Sequence, residues 1–547
     1  MNNMTARILT SPVWKWLLVV LFVIEVSASM FQAWLPYEDD AYIFLRYADN
    51  IAHGYGFVWN RGDAPVEGYT SFLYLMLLTG LRMVGFTSER VLGWSGIILS
   101  ALTLVVTIKV AEIILRSRIS VPDLVVLILC GFSPNFVYWA MRGMDVPLFT
   151  FLLLVSTWVY LKYMYGNAPA WGVGLCFALL ALARPEGILI FLPTLICDSV
   201  RLFIVARERW VRNVLTMVVS FSIAYVPYFL WRWNYFGYLF PNTYYAKTGG
   251  GIIQIREGLI YVVASLKAAF GAYSWWVLVL MGILTLLFYF LRGERWLAGW
   301  EKAYLITVAI CILGMAALNG GDHFAYGRFI VPSLPYLALI VVSTFMELLR
   351  RHRWLAIALG IVGLTLIGLH YSQSNGYAAI KHAWSNGYHR RTDWLPRADP
   401  SDYEVYPNWV QGFVMMGKTL RRVASPDESI AVVPVGAIGY YSGMRVIDMV
   451  GVVDPVIAHQ PFDPYYIETW RPGHDKGDGR YILSLHPDYI QLMDLLTSQP
   501  VAEPDQHMLQ YKSVVEIWNN PEFHAEYEFY PLKIDGGWYY NLYRRKH

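Results

Sequence analysis

Two aspartates stand side by side at Asp39 and Asp40, preceded by Glu38 and followed by "AYIFLRYADNIAHG". Adjacent carboxylates repel, and in a partly dehydrated setting one of them can hold a proton affinity high enough for a general base. A second set of residues carries the opposite charge. Arg142 in "MRGMDVPLF", Arg184 in "RPEG", Lys247 in "FPNTYYAK", and His323 and Arg328 in "GGDHFAYGR" all lie in turn-forming, polar or aromatic surroundings. Any one of them alone reads as a side chain anchoring its helix at a lipid interface. Together they suit a phosphate, which Arg and Lys hold by charge-assisted hydrogen bonds. Glu67 in "VEGYTS", Asn242, Tyr244 and Tyr245 in "FPNTYYAK", and Asp322 are further candidate substrate contacts. Glu186 pairs naturally with its neighbour Arg184, and Glu67 is placed to cap the helix that follows it.

The elements that must position these residues are mostly apolar. The chain has 547 residues, of which 56% are hydrophobic, 16% aromatic and only 15% charged, and its mean hydropathy is +0.40. Soluble domains carry about a quarter charged residues, so this composition indicates a polytopic membrane protein. Apolar segments near 15–35, 91–115, 121–139, 146–165, 168–184, 187–205, 212–233, 274–291, 302–318, 328–349 and 354–371 approach the roughly 20 residues that a spanning helix needs. The first, without a small-residue cleavage site, is expected to be a retained anchor. Basic clusters at Arg116/Arg118, Arg201/Arg207/Arg209, Arg292/Arg295/Lys302 and Arg350/Arg351/Arg353 all fall on the cytoplasmic side if residues 68–86 do not cross. That segment is therefore expected to be a juxtamembrane or re-entrant helix on the outer face. Every loop carrying the residues above then lies outside.

The acidic pair itself opens a helix. Carboxylates favour its positive N-terminal end, Ile43, Phe44, Tyr47 and Ile51 form one apolar face, and Gly54 ends it. Residues 1–371 are expected to form the transmembrane catalytic domain and residues 372–547 a soluble α/β domain on the outer side. Strand-like runs at 429–435, 445–450 and 488–493, with a hairpin over 532–543, support the second. The glycines of "VGAIGYYSG" follow a strand but match neither phosphate-binding glycine pattern, and "PGHDK" reads as a turn or a contact to an outer loop. The net charge of +3, scattered over loop ends, gives no footprint for nucleic acid. Cys130, Cys176, Cys197 and Cys311 lie in apolar segments without CxxC spacing, so no disulfide framework and no zinc site is indicated.

An outer-face carboxylate and an outer-face phosphate cradle imply a donor that arrives within the bilayer, because nucleotide sugars belong to the cytoplasm. The chemistry they fit is transfer of a sugar from a polyprenyl phosphate to an acceptor hydroxyl. "EDDAYIFLRYADNIAHGYGFVWNRGDAPVEGYTS" resembles the first outer loop of GT-C membrane glycosyltransferases, with an acidic pair after the first span. "GMDVPLF", "RPEG", "PNTYYAK", "GGDHFAYGR" and "GYYSGMRVIDMVGVVDP" are similar, in order, to motifs of the bacterial terminal β-(1→2) arabinofuranosyltransferases and their pilin-modifying relatives. The resemblance covers most of the chain and departs at Asp145, where that group has Glu.

It implies a GT-C fold of about 11 spans plus juxtamembrane helices in a bacterial inner membrane, with the active site and C-terminal domain periplasmic. It further implies an inverting transfer from a decaprenylphosphoryl-arabinose-like donor to a cell-envelope glycan or glycoprotein, with Asp39 or Asp40 as base. No cofactor is assigned with certainty, and a divalent cation is a possible one. Donors carrying a hexose or an aminopentose, with protein or lipid A as acceptor, are the alternative. A lipid-linked sugar transporter fits less well, because transporters tend to place polar groups at the midplane in repeated halves.

Overall fold

The computed structural model describes residues 12–32, 37–116, 120–270, 299–361 apart from 325 and 355, 404–462, 472–504 and 511–546, with single positions 283, 365 and 509. Among these, six helices are long and apolar enough to cross a membrane: Val91–Leu115, Val146–Met164, Glu186–Val205, Arg207–Phe236, Trp300–Leu318 and Arg328–Arg350. Each coincides with an expected span. The segment expected over 121–139 is instead two helices, Val121–Gly131 and Pro134–Met141, bent by 58°. Pro134 begins the second; its ring and missing N–H end the first and set the bend. Pro12–Gln32 and Ala170–Ala183 account for two further expected segments. The expected span over 274–291 lies outside the described residues apart from 283, as does much of that over 354–371.

The chain divides into two compact units. One comprises Met1–Leu35, Gly93–Leu230 and Gly258–Asn386, and the other Pro36–Leu92, Trp231–Glu257 and Gly387–His547. The first holds most of the long helices and is called the helical unit below. The expected domain boundary after residue 371 lies outside the described residues.

The second, mixed unit joins the first-loop helix Asp39–Ala52 to the C-terminal sheet. Its strands are β1 (Ser429–Val432), β2 (Arg445–Asp448), β3 (Tyr489–Ile490), β4 (Leu496–Thr497), β5 (Tyr527–Lys533) and β6 (Tyr539–Arg545), in the order β2-β1-β3-β6-β4 with β5 beside β6. β1 pairs in parallel with β2 and with β3, while β6 runs antiparallel to its neighbours. Parallel β1 and β2 need a crossover, which the helix Val435–Ser442 supplies. The expected hairpin is β5–β6; its turn places Gly536 and Gly537 at φ of 93° and 88°, a region open to glycine. Beneath the sheet, Ile447, Ile490, Val514, Ile517 and Phe523 form a buried core.

Helix Phe72–Met83 belongs to the mixed unit and has 12 residues. At 1.5 Å per residue it reaches about 18 Å, short of the roughly 30 Å hydrocarbon core. Arg82 near its end pairs with Asp49 of the acidic helix at 2.9 Å and donates to Tyr440 Oη at 2.9 Å.

Candidate functional site

The expected site residues are shared between the units. Asp39, Asp40, Glu67, Asn242, Tyr244, Tyr245 and Lys247 fall in the mixed unit, and Arg142, Arg184, Asp322, His323 and Arg328 in the helical unit.

In the mixed unit Asp39 opens the helix Asp39–Ala52. Its two carboxylate oxygens accept from the backbone amides of Gly436 (2.9 Å) and Ala437 (2.7 Å). Those amides belong to the buried first turn of Val435–Ser442, whose own N-cap, Pro434, has no side-chain acceptor. Asp39 thus supplies the missing cap from a distant part of the chain. Burial pushes its carboxyl up to about 7, against the pull of the two amides and with the help of the neighbouring Asp40 and Glu38 charges.

The glycines of "VGAIGYYSG" have a packing role here. A Cβ at 436 would collide with the Asp39 carbonyl oxygen, and one at 439 would press on Arg46 and Trp59. Where a strand–helix unit elsewhere takes a phosphate, this one takes the chain's own carboxylate.

Arg46, two turns after Asp39, is buried and fully used. It donates to Trp59 O (2.9 Å), Gly439 O (2.6 Å), Asn60 Oδ1 (2.8 Å) and Met444 O (2.9 Å), with its guanidinium over the Trp59 ring. Burial lowers its pKa only to about 10, so it remains charged at neutral pH. The Asn60 side-chain amide caps the sheet edge, its Nδ2 donating to Val446 O at 2.9 Å and its Oδ1 accepting from the Val446 amide at 3.0 Å.

Glu67 does not cap the following helix. Its Oε2 takes both Nε and Nη2 of buried Arg232 at 2.7 Å, while Ser71 stands at the N-cap. Burial raises the Glu67 carboxyl to about 7 even with Arg232 beside it. Asn242 is also buried, donating to Gly451 O (2.9 Å) and Val452 O (3.0 Å). Tyr244 is exposed and packs on Phe240, while Tyr245 stacks on His459 at 4.2 Å between ring centres. "PGHDK" reaches the loop 240–247: Lys476 Nζ donates to Tyr245 O and Ala458 O, each at 2.7 Å, and Gly473 lies against the Lys247 stem.

In the helical unit the loop 319–328 is rigidly set. Tyr326 has φ 57°, costly for a residue with a side chain, and its carbonyl is held by Asn135 Nδ2 (2.8 Å) and Trp139 Nε1 (3.2 Å). Gly321 and Gly327 pack so closely on Tyr261 and Ser265 that no Cβ fits at either position. This geometry delivers Arg328 onto Asp322, with His323 Nδ1 3.6 Å from the same carboxylate. Arg184 lies 3.5 Å from Asp145 and 3.7 Å from Glu186, both measured at its Nε. The aspartate that replaces the expected glutamate at 145 therefore does reach an arginine.

The guanidinium groups of Arg184 and Arg328 lie 5.2 and 5.0 Å from the centre of one ring, Phe329. Arg142 sits 4.6 Å over Tyr138. Arg184 and Arg328 thus share one aromatic ring within the helical unit, and each carries its own carboxylate. Among the described residues no three His, Cys, Asp or Glu side chains gather in a group suited to a metal ion.

Sequence reasoning missed Arg46 and Arg232. Arg46 sits among the apolar positions of an amphipathic helix, and Arg232 stands between two tryptophans at the end of a spanning segment. A lone cation in either setting signals a buried partner.

Residues 401–543 match a domain of unknown function, DUF8728. Comparison with curated protein sequences finds no match. Among solved structures, ArnT from Cupriavidus metallidurans bound to undecaprenyl phosphate aligns with a TM-score of 0.50 at 11% identity, over 79% of this chain and 85% of that one. Its apo state gives 0.51 at 12% identity, over 80% and 86%. The archaeal oligosaccharyltransferase AglB from Archaeoglobus fulgidus, in complex with an inhibitory peptide and a dolichol-phosphate, gives 0.51 at 11% identity, over 96% and 74%. These likenesses establish the fold: a polytopic helical membrane protein of GT-C type, with a C-terminal α/β domain.

Proposed function

We propose that this protein is an inverting glycosyltransferase that moves a sugar from a polyprenyl phosphate to an acceptor hydroxyl at the outer face of a bacterial inner membrane. The observation that carries the reading is the Asp39 carboxylate, fixed by two backbone amides and raised to about 7. A base titrating near the working pH is what proton removal from a sugar hydroxyl requires. Each Asp39 oxygen accepts one amide, which leaves a lone pair for the incoming proton, and the Asp40 charge beside it raises its basicity.

In this reading Asp39 takes the hydroxyl proton as the acceptor oxygen forms its bond to the anomeric carbon. The anomeric carbon–oxygen bond to phosphate breaks on the opposite face, and polyprenyl phosphate leaves with the electron pair. Arg142, Arg184, Arg328, His323 and Lys247 are assigned to the phosphate, where fixed cations stabilise charge as it develops. Tyr244, Tyr245, Asn242, Glu67 and Asp322 shape the substrate surroundings, Glu67 and Asn242 from buried positions. Undecaprenyl phosphate in ArnT and dolichol-phosphate in AglB support a lipid-phosphate ligand for this fold.

The donor sugar is proposed as D-arabinofuranose on the motif resemblance, with a cell-envelope glycan or glycoprotein as acceptor. A hexose or aminopentose donor is the second reading. Purified protein in lipid nanodiscs, given polyprenyl-phosphate arabinofuranose, hexose and aminopentose in turn, should transfer one of them to acceptor. Asp39→Asn should lower kcat by about 100- to 10,000-fold, the usual worth of a general base, and Asp40→Asn by less. Full transfer by Asp39→Asn would remove the base assignment, and release of no lipid phosphate from any donor would remove the reading.

A further inference from the structure

We propose that the crossover helix Val435–Ser442 is a positioning element for the acidic pair, acting through Gly436 at its start and Arg46 at its end. This rests on the reading of Asp39 as base. The helix Asp39–Ala52 grips both ends of Val435–Ser442 with charges of the matching sign. The Asp39 carboxylate holds the amides of Gly436 and Ala437 at the positive N-terminal end, and the Arg46 guanidinium holds Gly439 O and Met444 O at the negative C-terminal end. Seven residues of helix separate the two side chains, about 10 Å along the axis, which matches a crossover of two turns. The two helices therefore run side by side in the same sense.

Three features make the grip specific. Pro434 leaves the first turn uncapped, so the amides that meet Asp39 have no local acceptor. Gly436 permits an approach that a Cβ would block, and Gly439 does the same opposite Arg46. Arg46 is further fixed by Trp59 O and Asn60 Oδ1, and Asn60 is itself tied to Val446 in β2. Sheet, crossover and acidic helix are thus one construction, and the direction of the Asp39 carboxylate is set by helix amides 397 and 398 positions further along the chain. A base held by backbone amides cannot rotate away from its task, so the C-terminal domain contributes to the chemical step as well as to any acceptor surface. Gly436 and Arg46 are positioning residues: they act through Asp39.

The test uses full-length protein in nanodiscs with the donor that wild type consumes. Gly436→Ala should lower kcat at least tenfold while donor KM and the amount of donor lipid bound stay within twofold of wild type. Arg46→Lys keeps the charge but cannot span both carbonyls, and should give a smaller loss of kcat with the same unchanged KM. Because both act through one helix, the double variant should be little worse than Gly436→Ala alone. Hydrogen exchange supplies a readout independent of activity: Asp39→Ala should speed exchange at the Gly436 and Ala437 amides at least tenfold and leave β5–β6 protected. Wild-type kcat in Gly436→Ala, or a loss appearing in KM alone, overturns the proposal. So does unchanged exchange in Asp39→Ala. Wild type that consumes no polyprenyl-phosphate sugar removes the base reading and this inference with it, a result distinct from an active wild type with an equally active Gly436→Ala. Should Gly436→Ala fail to insert, Arg46→Lys decides: reduced kcat at constant KM supports the proposal, and wild-type kinetics overturn it.

Discussion

The two units hold their charges by different means. In the mixed unit the Asp39 carboxylate meets neutral donors, the amides of Gly436 and Ala437. In the helical unit Arg184 and Arg328 meet formal counter-charges, Asp145 and Glu186 for one and Asp322 for the other. Amides fix a carboxylate without cancelling its charge, so burial can still raise its proton affinity. Carboxylates fix an arginine and compensate part of its charge, which keeps two cations tolerable around one phenylalanine before any phosphate arrives. The first arrangement suits a group that must accept a proton, the second a group that must stay charged while its partner comes and goes.

The largest effect expected from this contrast lies in stability. Glu67 and Arg232 are a buried pair in the same unit as Asp39, with side-chain exposures of 3% and 5%. Arg232→Leu leaves Glu67 buried without its cation, and should destabilise the protein by about 3–5 kcal/mol. Glu67→Gln/Arg232→Leu should recover much of that loss, since no charge is then stranded. Thermal unfolding in detergent measures both. A single variant as stable as wild type would mean that Glu67 has another means of compensation.

Next in size is the donor side. Removing one fixed donor from a site of developing negative charge typically costs about 100- to 1,000-fold. Arg328→Gln should lower kcat/KM for the lipid donor by about 100-fold, whereas Asp322→Asn, which removes the counter-charge and keeps the shape, should cost far less. Steady-state kinetics against donor concentration separates them. Equal losses would show that the ion pair is a structural tie and that Arg328 does not meet the phosphate.

What was legible in the sequence follows from range. The amphipathic spacing of Ile43, Phe44, Tyr47 and Ile51 and the Asp-Gly-Gly turn at 535–537 are local patterns, and each produced the element expected. The long apolar helices were legible for the same reason, and the bend at Pro134 is itself a local rule that an apolar count overlooks. The cap that Asp39 gives to Val435–Ser442 joins residues 397 and 398 positions apart and leaves no local trace. Only its complement shows: a crossover helix opening on proline, with glycines at 436 and 439 that no phosphate pattern explains. Glu67 was misread as a helix cap because its partner Arg232 lies 165 positions away. The candidate cations were legible as types, but the approach of Arg184 and Arg328 to Phe329 depends on the strained turn at Tyr326 and on glycines packed against a neighbouring helix.

The smallest expected effect concerns pH, and its sign follows from the Asp39 carboxyl. Its ordinary value of 3.8 is raised to about 7 in the fold, so between these values the folded protein holds a proton that the unfolded chain releases. The contribution of this group is therefore fully present below about pH 4 and is lost as pH rises through 7. Glu67 and Asp448, both raised to about 7 by burial, act in the same direction. Asp39→Asn removes one such group while keeping an oxygen for one of the two amides. Its melting temperature should consequently fall less between pH 5 and pH 8 than that of wild type, by a few degrees. An unchanged slope would place the Asp39 carboxylate among groups whose amide bonds already outweigh burial, and a base of ordinary carboxylate strength would then have to do the proton transfer.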